Sequence, residues 1–243
     1  MRKLIALLAV ALLLISSGKK ELAHTKFKFA DWKSLKGIPE PSDIVYDSAT
    51  GHCFIVSDHG KLFECDRQGN IIKKAKEEGQ DFEGVEVKDS FIYVSDETPR
   101  KVYQYRKSDL SLVKVFPVSW GGAMNRAFES IAYNATKQCF LLVSQQPIVI
   151  VEYTTDFKEI ARYPFKGVRD ISGARWHKGN LYLLSNLDAC IIKCDPVNYE
   201  AKAYYQINVL NPEGFMFDDS SNISITSDDM QRLYFFKQLP TIQ

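Results

Sequence analysis

Histidine is scarce in this chain, with four residues among 243, and they fall far apart at His24, His52, His59 and His177. The five cysteines, Cys53, Cys65, Cys139, Cys190 and Cys194, include no Cys-x-x-Cys pair. A zinc site of the usual Cys and His spacing is therefore excluded. No charge sign dominates: 31 Lys and Arg against 30 Asp and Glu leave a net charge of +1. Basic residues form no stripe, so nothing draws the chain to nucleic acid. The sequence has no Gly-x-Ser-x-Gly elbow of the hydrolase kind and no Asp-x-Asp calcium loop of the EF-hand kind. Its longest apolar run, Leu4 to Ile15, holds twelve residues, too short to cross a bilayer as a helix.

That run has a different meaning. Arg2 and Lys3 precede it, and Ser16, Ser17 and Gly18 follow. A basic start, a short apolar stretch and small residues describe an export signal over 1–18. The approach resembles a lipoprotein cleavage site, but position 18 is Gly and the Cys that would carry the lipid is missing. The expectation is an exported protein, periplasmic or extracellular, without a lipid anchor or a transmembrane segment.

What is abundant is repetition. A unit of about 42 residues recurs five times after residue 38. The copies open on Pro41-Ser42-Asp43-Ile44, Phe82-Glu83-Gly84-Val85, Phe128-Glu129-Ser130-Ile131, Ile171-Ser172-Gly173-Ala174 and Pro212-Glu213-Gly214-Phe215. Second strands end at Ser57-Asp58, Ser95-Asp96, Ser144-Gln145, Ser185-Asn186 and Ser227-Asp228. Aromatic-rich third strands follow, and their rings (Tyr103, Tyr105, Tyr153, Tyr234, Phe235, Phe236) are expected to pack between neighbours. Several short strands per unit at this period predict an all-β, five-bladed β-propeller. It forms a single domain over 24–243, and a sixth blade would need residues that the chain does not have. The fifth unit contains only three strands, which leaves an open edge. The segment Lys26-Phe27-Lys28-Phe29 is expected to supply the fourth and close the ring.

Within such a unit the first strand starts, and the second ends, on the same face. Glu83, Glu129 and Glu213, with Ser42 and Ser172 in the other two units, therefore converge at one mouth of the central channel. Clustered carboxylates require a proton, a cation or an arginine among them. Oxygen donors suit a hard cation, so these three glutamates are candidate ligands for Ca²⁺. Asp58, Asp96, Gln145, Asn186 and Asp228 form a second polar ring, with His59 beside Asp58. Connecting segments bring Glu40, Glu77, Glu78, Asp81, Arg126, Arg169 and Asp170 to the same rim. The competing reading is structural: the glutamates accept backbone hydrogen bonds, and Arg126 and Arg169 act as their internal counter-ions. Cys53 and Cys65 face each other across two strands, either as a disulfide or as core-filling thiols.

The run Phe82-Glu83-Gly84-Val85, followed by Tyr93-Val94-Ser95-Asp96-Glu97-Thr98-Pro99-Arg100-Lys101-Val102-Tyr103, resembles the SdiA-regulated (YjiK-like) family of bacterial exported propellers. Asn211-Pro212-Glu213-Gly214-Phe215, Ser227-Asp228 and Leu233-Tyr234 are similar to that family's last blade. The resemblance implies a propeller outside the cytoplasm with calcium at Glu83, Glu129 and Glu213, and it carries no activity. The blade pattern is also similar to the gluconolactonase group, whose channel metal activates water on a lactone or ester. This chain lacks that group's sixth blade. The functional expectation is a monomeric binding protein holding a cation or small polar ligand at the rim. The alternatives are a divalent-metal-dependent lactone or ester hydrolase, and a module whose protein partner docks on the rim.

Overall fold

In a computed structural model, described here for residues 24–121 and 127–241, the chain forms strands and no helix among those residues. Two short strands, β1 (His24–Lys26) and β2 (Asp31–Ser34), precede the repeats. The first blade contains β3 (Pro41–Asp47), β4 (His52–Ser57), β5 (Lys61–Cys65) and β6 (Ile71–Lys74). The second contains β7 (Phe82–Lys88), β8 (Phe91–Asp96), β9 (Lys101–Arg106) and β10 (Leu112–Pro117). The third contains β11 (Phe128–Asn134), β12 (Cys139–Ser144), β13 (Val149–Tyr153) and β14 (Glu159–Pro164). The fourth contains β15 (Gly173–His177), β16 (Asn180–Ser185), β17 (Cys190–Cys194) and β18 (Ala201–Gln206). The last contains β19 (Pro212–Phe217), β20 (Asn222–Ser227) and β21 (Arg232–Gln238). Each blade is an antiparallel meander, and the five make the propeller that the repeat predicts.

Burial falls from the axis outward, and composition follows it. β12 is buried along its whole length and is continuously apolar as far as Ser144, whereas β6 and β14 are mostly exposed and carry Lys73, Lys74, Glu159 and Arg162. Charged side chains on these outer edges discourage pairing with another chain. Blades pack through one apolar cluster at each junction. The cluster of Ile44, Ile55 and Phe63 with Met216 and Leu233 joins the first blade to the last and closes the ring. The aromatic third strands pack between blades as expected: Tyr153, for example, lies in one cluster with Tyr93 and Phe116 of the second blade. All five cysteines are buried free thiols in these junctions. Cys53 and Cys65 do pair in register, and both serve as core.

The ring is closed by a different segment from the one expected. β2 (Asp31–Ser34), not Lys26–Phe29, pairs antiparallel with β21 and completes the last blade. Residues of β1 run parallel to β18 instead, with His24 opposite Tyr204 and Lys26 opposite Gln206, and add a fifth strand to the fourth blade. The reason is packing. The Phe27 ring is buried at the junction of the last two blades, 4.8 Å from Phe236, and Phe29 meets Tyr234 edge-on at 4.9 Å. β2 is exposed at all four residues, as an outermost strand should be. The export signal expected over 1–18 lies outside the described residues.

Candidate cation site at the channel mouth

The inner strands deliver acidic side chains through a repeated backbone irregularity. The ladder shifts between Pro41 and Asp43, Phe82 and Gly84, Phe128 and Ser130, and Pro212 and Phe215. Ser42, Glu83, Glu129 and Glu213 thus sit at β-bulges, which release a side chain from the sheet and re-aim it. The residue after each bulge faces the next inner strand. A Cβ on Gly84 would come within 2.8 Å of Ser130 Cα, and one on Gly214 within 2.4 Å of Asp43 Cα. Glycine is required there because two backbones approach each other.

Three carboxylates meet at one edge of the mouth. Asp81, Glu83 and Glu97 each place an oxygen within 4.8 Å of the other two. Their loops are clipped together by Asp96, whose carboxylate accepts the amides of Gln80 and Asp81, both at 3.0 Å. Thr98 donates its hydroxyl to Asp81 Oδ2 at 2.7 Å, and the Ala127 amide donates to Glu97 Oε1 at 2.8 Å. A side-chain hydrogen bond links Glu129 to Glu97. Burial, and then Glu129, Asp58, Asp81 and Glu97, push the Glu83 carboxyl well above its ordinary range. Burial and the neighbouring Glu97 do the same to Glu129. Among the described residues, Glu83 has no basic partner within ion-pair distance.

The opposite edge is built from Glu213 and Asn186. The Asn186 amide donates to Glu213 Oε1 at 2.6 Å, yet burial and then Asp58 and Asp228 raise Glu213 to about 8. Asp58 accepts the Ser42 hydroxyl, and burial raises its own carboxyl. Burial and Asp58 lift Asp228 to about 6.

The expected residues therefore divide. Glu83 and Glu129 come together, Glu213 faces them beside Asn186, and Asp58 and Asp228 line the same mouth. Asp96 is a loop clip. His59 is exposed and pairs with Glu40 at 3.1 Å. Arg169 is no counter-ion for the glutamates: its guanidinium pairs with Asp188 at 2.8 Å on the outer rim. Gln145 is half-buried in its loop, and Arg126 lies outside the described residues. Leu187 and Leu210 are exposed in the rim loops of the last two blades, 51% and 61% respectively.

Deeper in the channel is a charge cluster that the sequence reading missed. Arg175, only 4% exposed, donates to Asp43 Oδ1 and to the Ile44 carbonyl, both at 2.6 Å, and to the Ile131 carbonyl at 3.3 Å. It joins inner strands of three blades and so lies on the axis. Asp43 also accepts the Val85 amide at 2.9 Å, and burial lifts its carboxyl to about 6 despite Arg175. Glu86 accepts the amides of Val87 and Tyr133 and is raised by burial to about 7. One signal was legible: the first unit carries Asp43 where three others carry Gly84, Gly173 and Gly214. Glu97 announced itself only as an extra acid after Ser95-Asp96.

The SdiA-regulated family profile matches residues 20–237. No curated protein matches by sequence. Among solved structures, the glutaminyl cyclase of Myxococcus xanthus is similar with a TM-score of 0.72 at 12% identity, over 88% of this chain and 98% of that one. A protein of unknown function from Bacteroides caccae is similar with a TM-score of 0.58 at 9% identity, over 79% of this chain and 72% of that one. At such identities the likeness is one of fold.

Proposed function

The chain belongs to the SdiA-regulated family of β-propellers, and from that premise we propose that it is an exported binding protein whose channel mouth holds a divalent cation, Ca²⁺ foremost. The observation that carries this is the set of three carboxylate oxygens from Asp81, Glu83 and Glu97 within 4.8 Å of one another. Such groups repel one another unless protons or a cation intervene, and an all-oxygen, carboxylate-rich set is the donor chemistry calcium takes. Glu129, hydrogen-bonded to Glu97, is the adjacent donor. Because the mouth holds protons at neutral pH, cation binding should release them.

Thermal unfolding with Ca²⁺, with Mg²⁺ and with a chelator tests this. A cation at about a hundred times its Kd adds roughly 2.7 kcal/mol. A calcium-dependent rise in Tm that disappears in Glu83→Gln and Glu97→Gln supports the site. An unchanged Tm, with the variants at least as stable as the parent, removes it.

A second reading is catalysis at the same mouth, favoured by Glu213. A carboxyl raised to about 8 opposite the carboxylate triad suits acid–base work near neutral pH. The hydrolase form of this reading predicts metal-dependent turnover of lactones or esters. The likeness to a glutaminyl cyclase adds a second assay, glutaminyl cyclisation. Either activity should fall by about 10²-fold or more in Glu213→Gln.

A further inference from the structure

The face opposite the acidic mouth contains a separate cavity of about 250 Å³, lined where β3, β15 and β19 end. Its floor is Arg175 and Glu86, which are 4% and 8% exposed. Half-buried rings of Tyr46, Trp176, His177 and Phe217 form its walls. His177 lies flat on Phe217, with centroids 4.1 Å apart and planes 7° apart. A second cavity of about 250 Å³ adjoins it, sharing Tyr46, Met216 and Asp218 and adding Arg67, Gln68 and Asn222. The lip between them is already ordered: the Tyr46 hydroxyl donates to Asp219 Oδ2 at 2.6 Å, and Arg67 donates to the same oxygen at 3.2 Å. The axial cluster of Arg175 and Asp43 lies between this cleft and the mouth.

The chemistry of the cleft selects its ligand. An anion would meet Asp218, Asp219 and Glu86, and a cation would meet Arg67 and an Arg175 held in place by Asp43. Donors such as Arg67, Gln68 and Ser48 share the lining of the two cavities with acceptors such as Asp218 and Asp219. Hydroxyl groups, each a donor and an acceptor, satisfy both sets. Aromatic walls take the C–H faces of a ring, and convergent polar groups on an apolar cleft are the mark of a small-molecule site. We propose that this lower cleft binds a neutral polyhydroxylated ring, a monosaccharide unit.

The test is titration of the full chain with glucose, galactose, mannose and N-acetylglucosamine, followed by tryptophan fluorescence and saturation-transfer NMR. At least one sugar should saturate, with a fluorescence change that is lost in Trp176→Phe. Asp219→Asn, at an exposed position that leaves the core intact, should weaken binding about tenfold, as expected for loss of a charged hydrogen bond. Glu83→Gln at the mouth should leave the affinity unchanged. Saturation by none of the four sugars overturns the proposal. So does an affinity that Asp219→Asn leaves intact, or one that Glu83→Gln abolishes.

Discussion

At the scale of single residues, the channel is governed by groups that can neither leave nor be hydrated. Arg175 and Asp43 are both essentially inaccessible, and each satisfies backbone groups of other blades as well as its partner. Breaking such a pair costs more than forming it gains, because the survivor is a buried charge without compensation. Arg175→Met should therefore destabilise the protein by about 3–5 kcal/mol in chemical denaturation. Adding Asp43→Asn to that variant should recover part of the loss. Failure of the second change to recover anything would show that carbonyl contacts, not the ion pair, dominate. Asp43 sits where three other blades use glycine, so one departure from the repeat in the sequence marked it. Its partner could not be read, because Arg175 is 132 residues from Asp43.

At the scale of elements, the N-terminal segment closes the ring through residues other than those that composition suggests. An open three-stranded blade did require a strand from the chain start, but Lys26–Phe29 resembled one only in composition. Its phenylalanines have a stronger use in the apolar junction between the last two blades, and the polar Asp31–Ser34 takes the solvent-facing edge. Phe27→Ala should cost about 3–5 kcal/mol, the range for a buried aromatic. Trp32→Ala should cost about 1 kcal/mol, because Trp32 is 43% exposed and its main partner is the Arg232 guanidinium 3.8 Å above its ring. Equal losses measured in urea would contradict this division of labour. The same principle explains why the bulges were legible only as a repeated Glu or Ser. The extra residue is visible only in the pairing register.

At the scale of the whole molecule, the protein holds protons that its unfolded chain would release. Asp43 and Asp228 are raised to about 6, Glu86 to about 7 and Glu213 to about 8, and Glu83 and Glu129 shift in the same direction. A carboxyl whose folded pKa exceeds its unfolded one stabilises fully below the unfolded value, and this stability is lost as pH rises through the folded value. Stability should therefore decline from about pH 4 to about pH 8, with Tm higher at pH 5 than at pH 8. Glu86→Gln and Glu213→Gln should each flatten the curve, and Ca²⁺ should flatten its upper part in proportion to its occupancy of the mouth. A Tm that rises over this interval without added cation would show that the channel carboxyls are ionised in the fold.

The sequence by itself determined the architecture: five units of one pattern, and strands whose composition grades from apolar to charged. These are local signals, since a strand's burial and its turns are written in adjacent residues. The tertiary structure alone decided which carboxylates meet. Glu83 was expected beside Glu129 and Glu213, its equivalents by repeat. Glu83 also joins Asp81 and Glu97, because Asp96 and Thr98 clip the connection into β7 onto the β8–β9 loop. Repeat position fixes the height of a side chain along the channel. Its neighbours across the channel depend on loop closure and blade packing, which bring distant residues together without leaving a local pattern.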